Sequence, residues 1–117
     1  MIRIRFWGFI AVVAGSSLLS GCKPLPPSKD PSQFTPVEAR GSRVFQARCA
    51  ECHNPTSTKG KKGPGLQALT KVKAMPSGAP PSDERITQTI RHGHGMMPAQ
   101  AIGDDELNLL LAYLRTL

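Results

Sequence analysis

Five consecutive residues, Cys49-Ala50-Glu51-Cys52-His53, constrain this chain more than any other stretch. Two thiols separated by two residues, with an imidazole directly behind them, must share one short turn. Three chemistries use such a set. A zinc site needs about four ligands around one small ion, and no second CxxC pair exists to complete it. A thioredoxin-like redox pair belongs in a βαβ context, and no alternating strand pattern precedes Cys49. Covalent attachment of haem uses all five positions. Each thiol adds to a vinyl group on one side of the porphyrin, and the adjacent imidazole swings beneath the ring towards the iron. Cys52 and His53 would strain to bind one small ion together, yet they reach the edge and the centre of a large planar group easily. The motif therefore points to one haem c, bound through Cys49 and Cys52, with His53 on the iron.

The rest of the 117 residues calls for such a group. The chain opens with Arg3 and Arg5, an apolar run from Phe6 to Val13, and small residues ending in Leu19-Ser20-Gly21-Cys22. This layout reads as a secretory signal peptide over residues 1–21, too short and too abruptly ended for a confident spanning helix. The ending LSGC resembles the lipobox of bacterial lipoproteins, which implies cleavage before Cys22 and a lipid on its sulfur; an uncleaved anchor helix is the competing reading. In either case the domain is expected outside the cytoplasm, facing the periplasm or the cell exterior and held at a membrane. Phe6, Trp7 and Phe9 leave with the signal, so Phe34, Phe45 and Tyr113 are the aromatics that remain. A small domain with so thin a core needs a staple.

Residues 22–34 carry prolines at 24, 26, 27 and 31. Proline fixes φ and cannot extend a helix, so an extended tether is expected, reaching up to roughly 35 Å at about 3.1 Å per residue. A folded domain is expected over residues 35–117. Thr35-Pro36-Val37-Glu38 fits a capping box with proline at the first helical position, and Val37, Gly41, Val44 and Phe45 follow helical spacing, predicting a helix from 36 to 48. Ser82-Asp83-Glu84 opens a second helix carrying Ile86 and Ile90, with Gly93 closing it. Asp104, Asp105 and Glu106 complement the dipole of a third, whose apolar face is Leu107, Leu110, Leu111 and Leu114. Residues 66–74 offer a weaker fourth. The expected class is all-α: three to four helices with long loops around one covalently attached haem.

With these elements in place the domain resembles a class I cytochrome c of the small bacterial type. The resemblance rests on CAECH, on Gly63-Pro64-Gly65-Leu66, on Met96-Met97-Pro98 and on the closing helix DDELNLLLAYLRTL. It implies that the Pro64 carbonyl accepts the hydrogen bond of the second ring nitrogen of His53, fixing its tautomer. It also implies that the first and last helices cross at Gly41, with Phe45 against Leu110 and Tyr113. No tryptophan follows the signal, so the indole contact to a haem propionate found in many relatives has no counterpart. The residues alone leave the sixth iron ligand open among Met97, Met96, Met75, His94 and His92. A copper site built from His92, His94, Met96 and Met97 is a further alternative. The family pattern, methionine directly before proline after the second helix, selects Met97.

Charge is uneven. Arg40 to Lys73 holds eight basic residues against Glu51 alone, whereas from Asp83 onward three arginines face five acids. Lys59-Gly60-Lys61-Lys62 lies close in sequence to the haem attachment. It fits three roles: steering an acidic redox partner, a solvated loop, or attraction to anionic lipid. An iron saturated by His53 and a thioether has no open position, so the expected function is electron transfer between membrane-associated redox proteins, without a small-molecule substrate and without nucleic acid. A fixed monohaem subunit of a larger respiratory or dehydrogenase complex is the first alternative. A haem peroxidase, with His92 or His94 as acid/base, is the second.

Overall fold

The structure is a computed structural model that describes residues 21–117; the signal sequence read at 1–21 lies, but for Gly21, outside the described residues. Three helices form the domain: α1 (Pro36–Arg48), α2 (Asp83–His92) and α3 (Asp104–Leu114). The fold is all-α, as expected, and among the described residues the extended structure amounts to one isolated bridge, His94 to Met97.

The first two helices start where their capping chemistry puts them. At α1 the Thr35 hydroxyl accepts the Glu38 N–H at 3.2 Å while the Glu38 carboxylate accepts the Thr35 N–H at 2.7 Å, two end donors satisfied reciprocally. Ser82 caps α2 through the Arg85 N–H at 3.2 Å. Gly93 ends α2 at φ 76°, in the left-handed region that glycine enters without a Cβ penalty. A Cβ there would also lie 2.5 Å from the Met97 carbonyl oxygen. At α3 the cap position is Gly103, which has no side chain to offer, and the acids of the first turn are left to complement the dipole.

The core lies between α1 and α3. Gly41 sits at their crossing, where a Cβ would meet the Leu109 carbonyl and would come within 2.9 Å of the Tyr113 Cβ. The missing side chain lets the backbones touch, though the contact is the Leu109 main chain rather than the Leu110 side chain. Phe45 packs on Tyr113 with ring centroids 5.3 Å apart, and Phe34 meets the other side of Tyr113 edge-on at 5.7 Å. Phe45, Leu110 and Leu117 are fully buried, each worth roughly 1.5–3 kcal/mol of apolar burial. Ile86 and Ile90 bring α2 into the same cluster.

Two segments depart from expectation. Residues 66–74 form turns, not a helix. The Leu69 and Lys71 N–H groups close short turns on the Leu66 and Ala68 carbonyls at 3.0 and 2.8 Å, and Ala68 at φ 57° reverses the chain. The proline-rich segment is extended at its start but does not stay free. Asp30 caps a single 3₁₀ turn at Pro31–Gln33, the Lys29 N–H donates to the Thr116 carbonyl at 2.7 Å, and the Lys29 ammonium pairs with Glu38 at 2.8 Å. With Phe34 on Tyr113, residues 29–34 strap the outside of the α1–α3 pair.

Candidate haem site

Cys49 is the residue at which α1 ends. Its N–H still reaches the Phe45 carbonyl at 2.8 Å, and the N–H groups of Cys52 and His53 both return to the Cys49 carbonyl at 3.0 Å. CAECH is thus one tight turn on the end of a helix. Arg48, bonded to Glu106 at 2.7 Å and to the Ala101 carbonyl at 3.3 Å, ties that end to the start of α3. Cys49 is largely enclosed, and burial pushes its thiol above the ordinary value, against a smaller opposing pull from Arg48.

His53 is held from behind. Its Nδ1–H donates to the Pro64 carbonyl oxygen at 2.8 Å; since a carbonyl can only accept, Nδ1 carries a proton, and in the neutral imidazole the lone pair is on Nε2. Such a bond orients an imidazole and raises its basicity as a ligand. The loop carrying Pro64 is anchored by the Gly63 N–H on the Cys52 carbonyl at 2.8 Å. A Cβ on Gly63 would lie 2.6 Å from His53 Cε1, so the loop lies directly against the ring.

Facing this wall is the turn that follows α2. His94 and Met97 exchange two backbone hydrogen bonds at 3.0 and 2.9 Å, and the Gln100 N–H ties the exit of the loop to Ile90 at 2.9 Å. Gly95, at φ 56°, makes the reversal. The Met97 side chain packs against the core, while Met96, its neighbour, is 90% exposed.

Between the walls lies a cleft of about 590 Å³, lined by Cys52, His53, Pro64, Met75, Thr89 and Met97 among others. A smaller apolar cavity of about 80 Å³ lies deeper; His53, Met75, Thr89 and Met97 border both. His94 and Met96 line the cleft; His92 is not among its lining residues. Cys22 is exposed and outside it. Sequence reasoning set Met75 aside as a ligand and passed over Thr89 entirely. Met75 is nevertheless buried in the cleft wall, and Thr89, three residues after the buried Ile86, was legible from helical spacing.

The site fits a haem. Its volume lies in the ~300–1,000 Å³ range of cofactor clefts. Its walls are mainly apolar, and an imidazole with a free Nε2 and a thioether both border it. The two thiols stand at the spacing of covalent attachment, Cys52 on the cleft and Cys49 on the smaller cavity behind it. These features define a c-type cytochrome domain. The chain matches, over residues 36–114, the family described as "Cytochrome C oxidase, cbb3-type, subunit III", and it belongs to that family. Its cofactor is therefore haem c, covalently bound, and its chemistry haem-based electron transfer. A solved structure, the c-type cytochrome SorU from Sinorhizobium meliloti, is similar at 28% identity and a TM-score of 0.49, covering 68% of this chain and 88% of that one.

Basic residues around the site are partly neutralised. Lys62, on the cleft wall, pairs with Glu51, which holds the Glu51 carboxyl below and the Lys62 ammonium above their ordinary values. Lys61 donates to the Ala50 carbonyl at 2.8 Å. Among the described residues Arg40, Arg43, Lys59 and Lys73 take part in no ion pair.

Proposed function

We propose that this protein is a membrane-tethered monohaem electron carrier in which Cys49 and Cys52 hold the haem and His53 and Met97 bind its iron from opposite sides. The observation that carries the reading is the convergence of a pre-oriented His53 and an inward-packed Met97 on one apolar cleft. The haem supplies one-electron cycling of its iron. The chain's own contribution is to saturate that iron, keep water from it and set its potential: thioether ligation raises it, and the His53–Pro64 bond makes the imidazole a stronger donor. His53 and Met97 would together hold the iron, which would leave no site for a small-molecule substrate.

The tether belongs to the same reading. Residues 1–21 serve as a signal, Cys22 carries lipid, and the domain works outside the cytoplasm at a membrane surface. Among the described residues no helix is long and apolar enough to cross a membrane. The Gln67 side chain already holds the Pro26 carbonyl at 3.1 Å ahead of the strap, so only residues 22–25 remain as free spacer, a reach of roughly 12 Å at about 3.1 Å per residue. The partners are redox proteins close to the same membrane, approached through unpaired cations such as Lys59, with rates that fall as salt rises. The family description favours one further reading, a fixed relay subunit of a larger oxidase-type complex; co-purification of other subunits in mild detergent distinguishes that from a free carrier.

The test is made on the purified protein. Colour that stays with the polypeptide through acid–acetone extraction, reversible one-electron voltammetry and no carbon monoxide binding support the proposal. Pigment that extracts freely, or carbon monoxide bound by the reduced wild type, contradicts it. Mass spectrometry should find an acylated Cys22 as the first residue; an intact Met1 rules out the lipid on Cys22 and leaves the uncleaved helix as the anchor.

A further inference from the structure

Met96 stands out from its surroundings. It is 90% exposed, whereas the other exposed large apolar side chains among the described residues, Leu25 and Val37, are 39% and 48% exposed. Its position in the turn accounts for this. His94 and Met97 close the turn through main-chain bonds at 3.0 and 2.9 Å, which leaves Met96 at the tip of the turn and Met97 on its closing arm. Met97 is thereby packed inward and Met96 outward, at the mouth of the cleft that Met96 also lines. An exposed thioether is oxidisable, and its susceptibility follows its access to solvent.

We propose that Met96 is an oxidation site for peroxides, placed at the mouth of the cleft so that its sulfoxide forms without disturbing the ligands of the iron. The reaction is a single oxygen transfer. A sulfur lone pair attacks one peroxide oxygen, the O–O bond breaks and an S–O bond forms. The departing hydroxide takes up the proton that the transferred oxygen loses, and leaves as water. Sulfur loses two electrons and the peroxide gains them. Two features of the turn isolate this event. The bonds that hold the turn are main-chain bonds, none of which uses the Met96 side chain, so the added oxygen displaces nothing. The other two thioethers of the described residues are less open: Met75 is 9% exposed and Met97 is half-buried against the core. The product is polar where the thioether was apolar, which changes the surface a redox partner meets. The claim about the ligands rests on the proposed role of Met97; the claim about the site does not.

Hydrogen peroxide titrated into the oxidised holoprotein tests this, with each methionine peptide followed by mass spectrometry and the long-wavelength sulfur–iron band recorded in parallel. Met96 should be oxidised several-fold faster than the buried Met75, and faster than Met97. The band should persist until the Met96 peptide is fully converted, and Met96→Leu should take up no oxygen at that peptide while keeping its band. Met75 or Met97 oxidising as fast as Met96, or a band that fades in step with Met96 oxidation, overturns the proposal. If the band is missing before peroxide is added, the reading of Met97 has failed, and the relative peptide rates alone decide whether Met96 is the site.

Discussion

Replacing Gly41 by alanine tests the helix crossing on which the haem site is built. In an exposed helix the change would gain roughly 0.5–1 kcal/mol of propensity. Here the new Cβ would lie 2.8 Å from the Leu109 carbonyl carbon and nearer still to its oxygen, against ordinary contact beyond 3.4 Å. Both are backbone atoms in the middle of α3 and cannot swing aside as a flexible side chain could. Restoring contact with the carbon alone parts the helices by at least 0.6 Å, the difference between 3.4 and 2.8 Å. That separation loosens Phe45 on Tyr113 and Leu110 beneath them. Overpacking of this kind costs typically 1–3 kcal/mol, and with backbone on one side the upper end applies. The net loss is about 2 kcal/mol after the propensity gain, or roughly 10 °C in Tm for a domain of this size. Thermal melts of the two holoproteins by far-UV circular dichroism read it directly. An unchanged or raised Tm for Gly41→Ala would show that the helices do not meet at Gly41 as described.

Gly103→Ser supplies the hydroxyl that α3 lacks at its cap; the structure leaves open space there, and Tm should rise by one or two degrees, a few tenths of a kcal/mol, while a fall would contradict the cap assignment. The strap should loosen in acid. Lys29 first, then the Thr35 N–H, hold the Glu38 carboxyl below its ordinary value of 4.5, so the contribution of the pair is complete above that pH and is lost as pH falls through the lowered folded value. The hydrogen-exchange protection factor of the Lys29 amide should follow this loss, and protection unaffected by acid would assign the strap to Phe34 alone. Without haem the domain should show no cooperative native-like melt, because three aromatics leave too little core; a sharp calorimetric transition in the haem-free protein would refute this.

The helices were legible because their signals are local. Thr35 with Glu38, Ser82 with Ile86 and Ile90, and Gly93 as a stop are each read within one or two turns, and α1 spans 36–48 as its spacing predicts. What failed depended on distant partners. Residues 66–74 have helical composition, but the loop at 54–57 fixes the path of Leu66 and Gln67, and Ala68 then turns at φ 57°, which no right-handed helix passes through. Nothing in KPLPPSKDPSQF announces that Lys29 will find Thr116 and Glu38, because those partners come together only when α1 and α3 pack. The cleft is intermediate. CAECH is local and legible, whereas the burial of Met75 beside Met97 follows from how two loops fold back on α2. No pattern within either loop encodes that.

The central claim, that the iron is held between His53 and Met97, is tested most directly by the optical spectrum of Met97→Ala beside the wild type, Met96→Ala and Met75→Ala. The oxidised wild type should show the weak long-wavelength band of sulfur–iron ligation, and the reduced form should refuse carbon monoxide. Met97→Ala should lose the band, bind carbon monoxide when reduced and fall in reduction potential, as expected when a thioether ligand is removed. The other two variants should keep the band and stay closed to the gas. A band that survives Met97→Ala and vanishes with Met96→Ala or Met75→Ala would mean that another methionine binds the iron; a wild type without the band would give the sixth position to a histidine, His94 first.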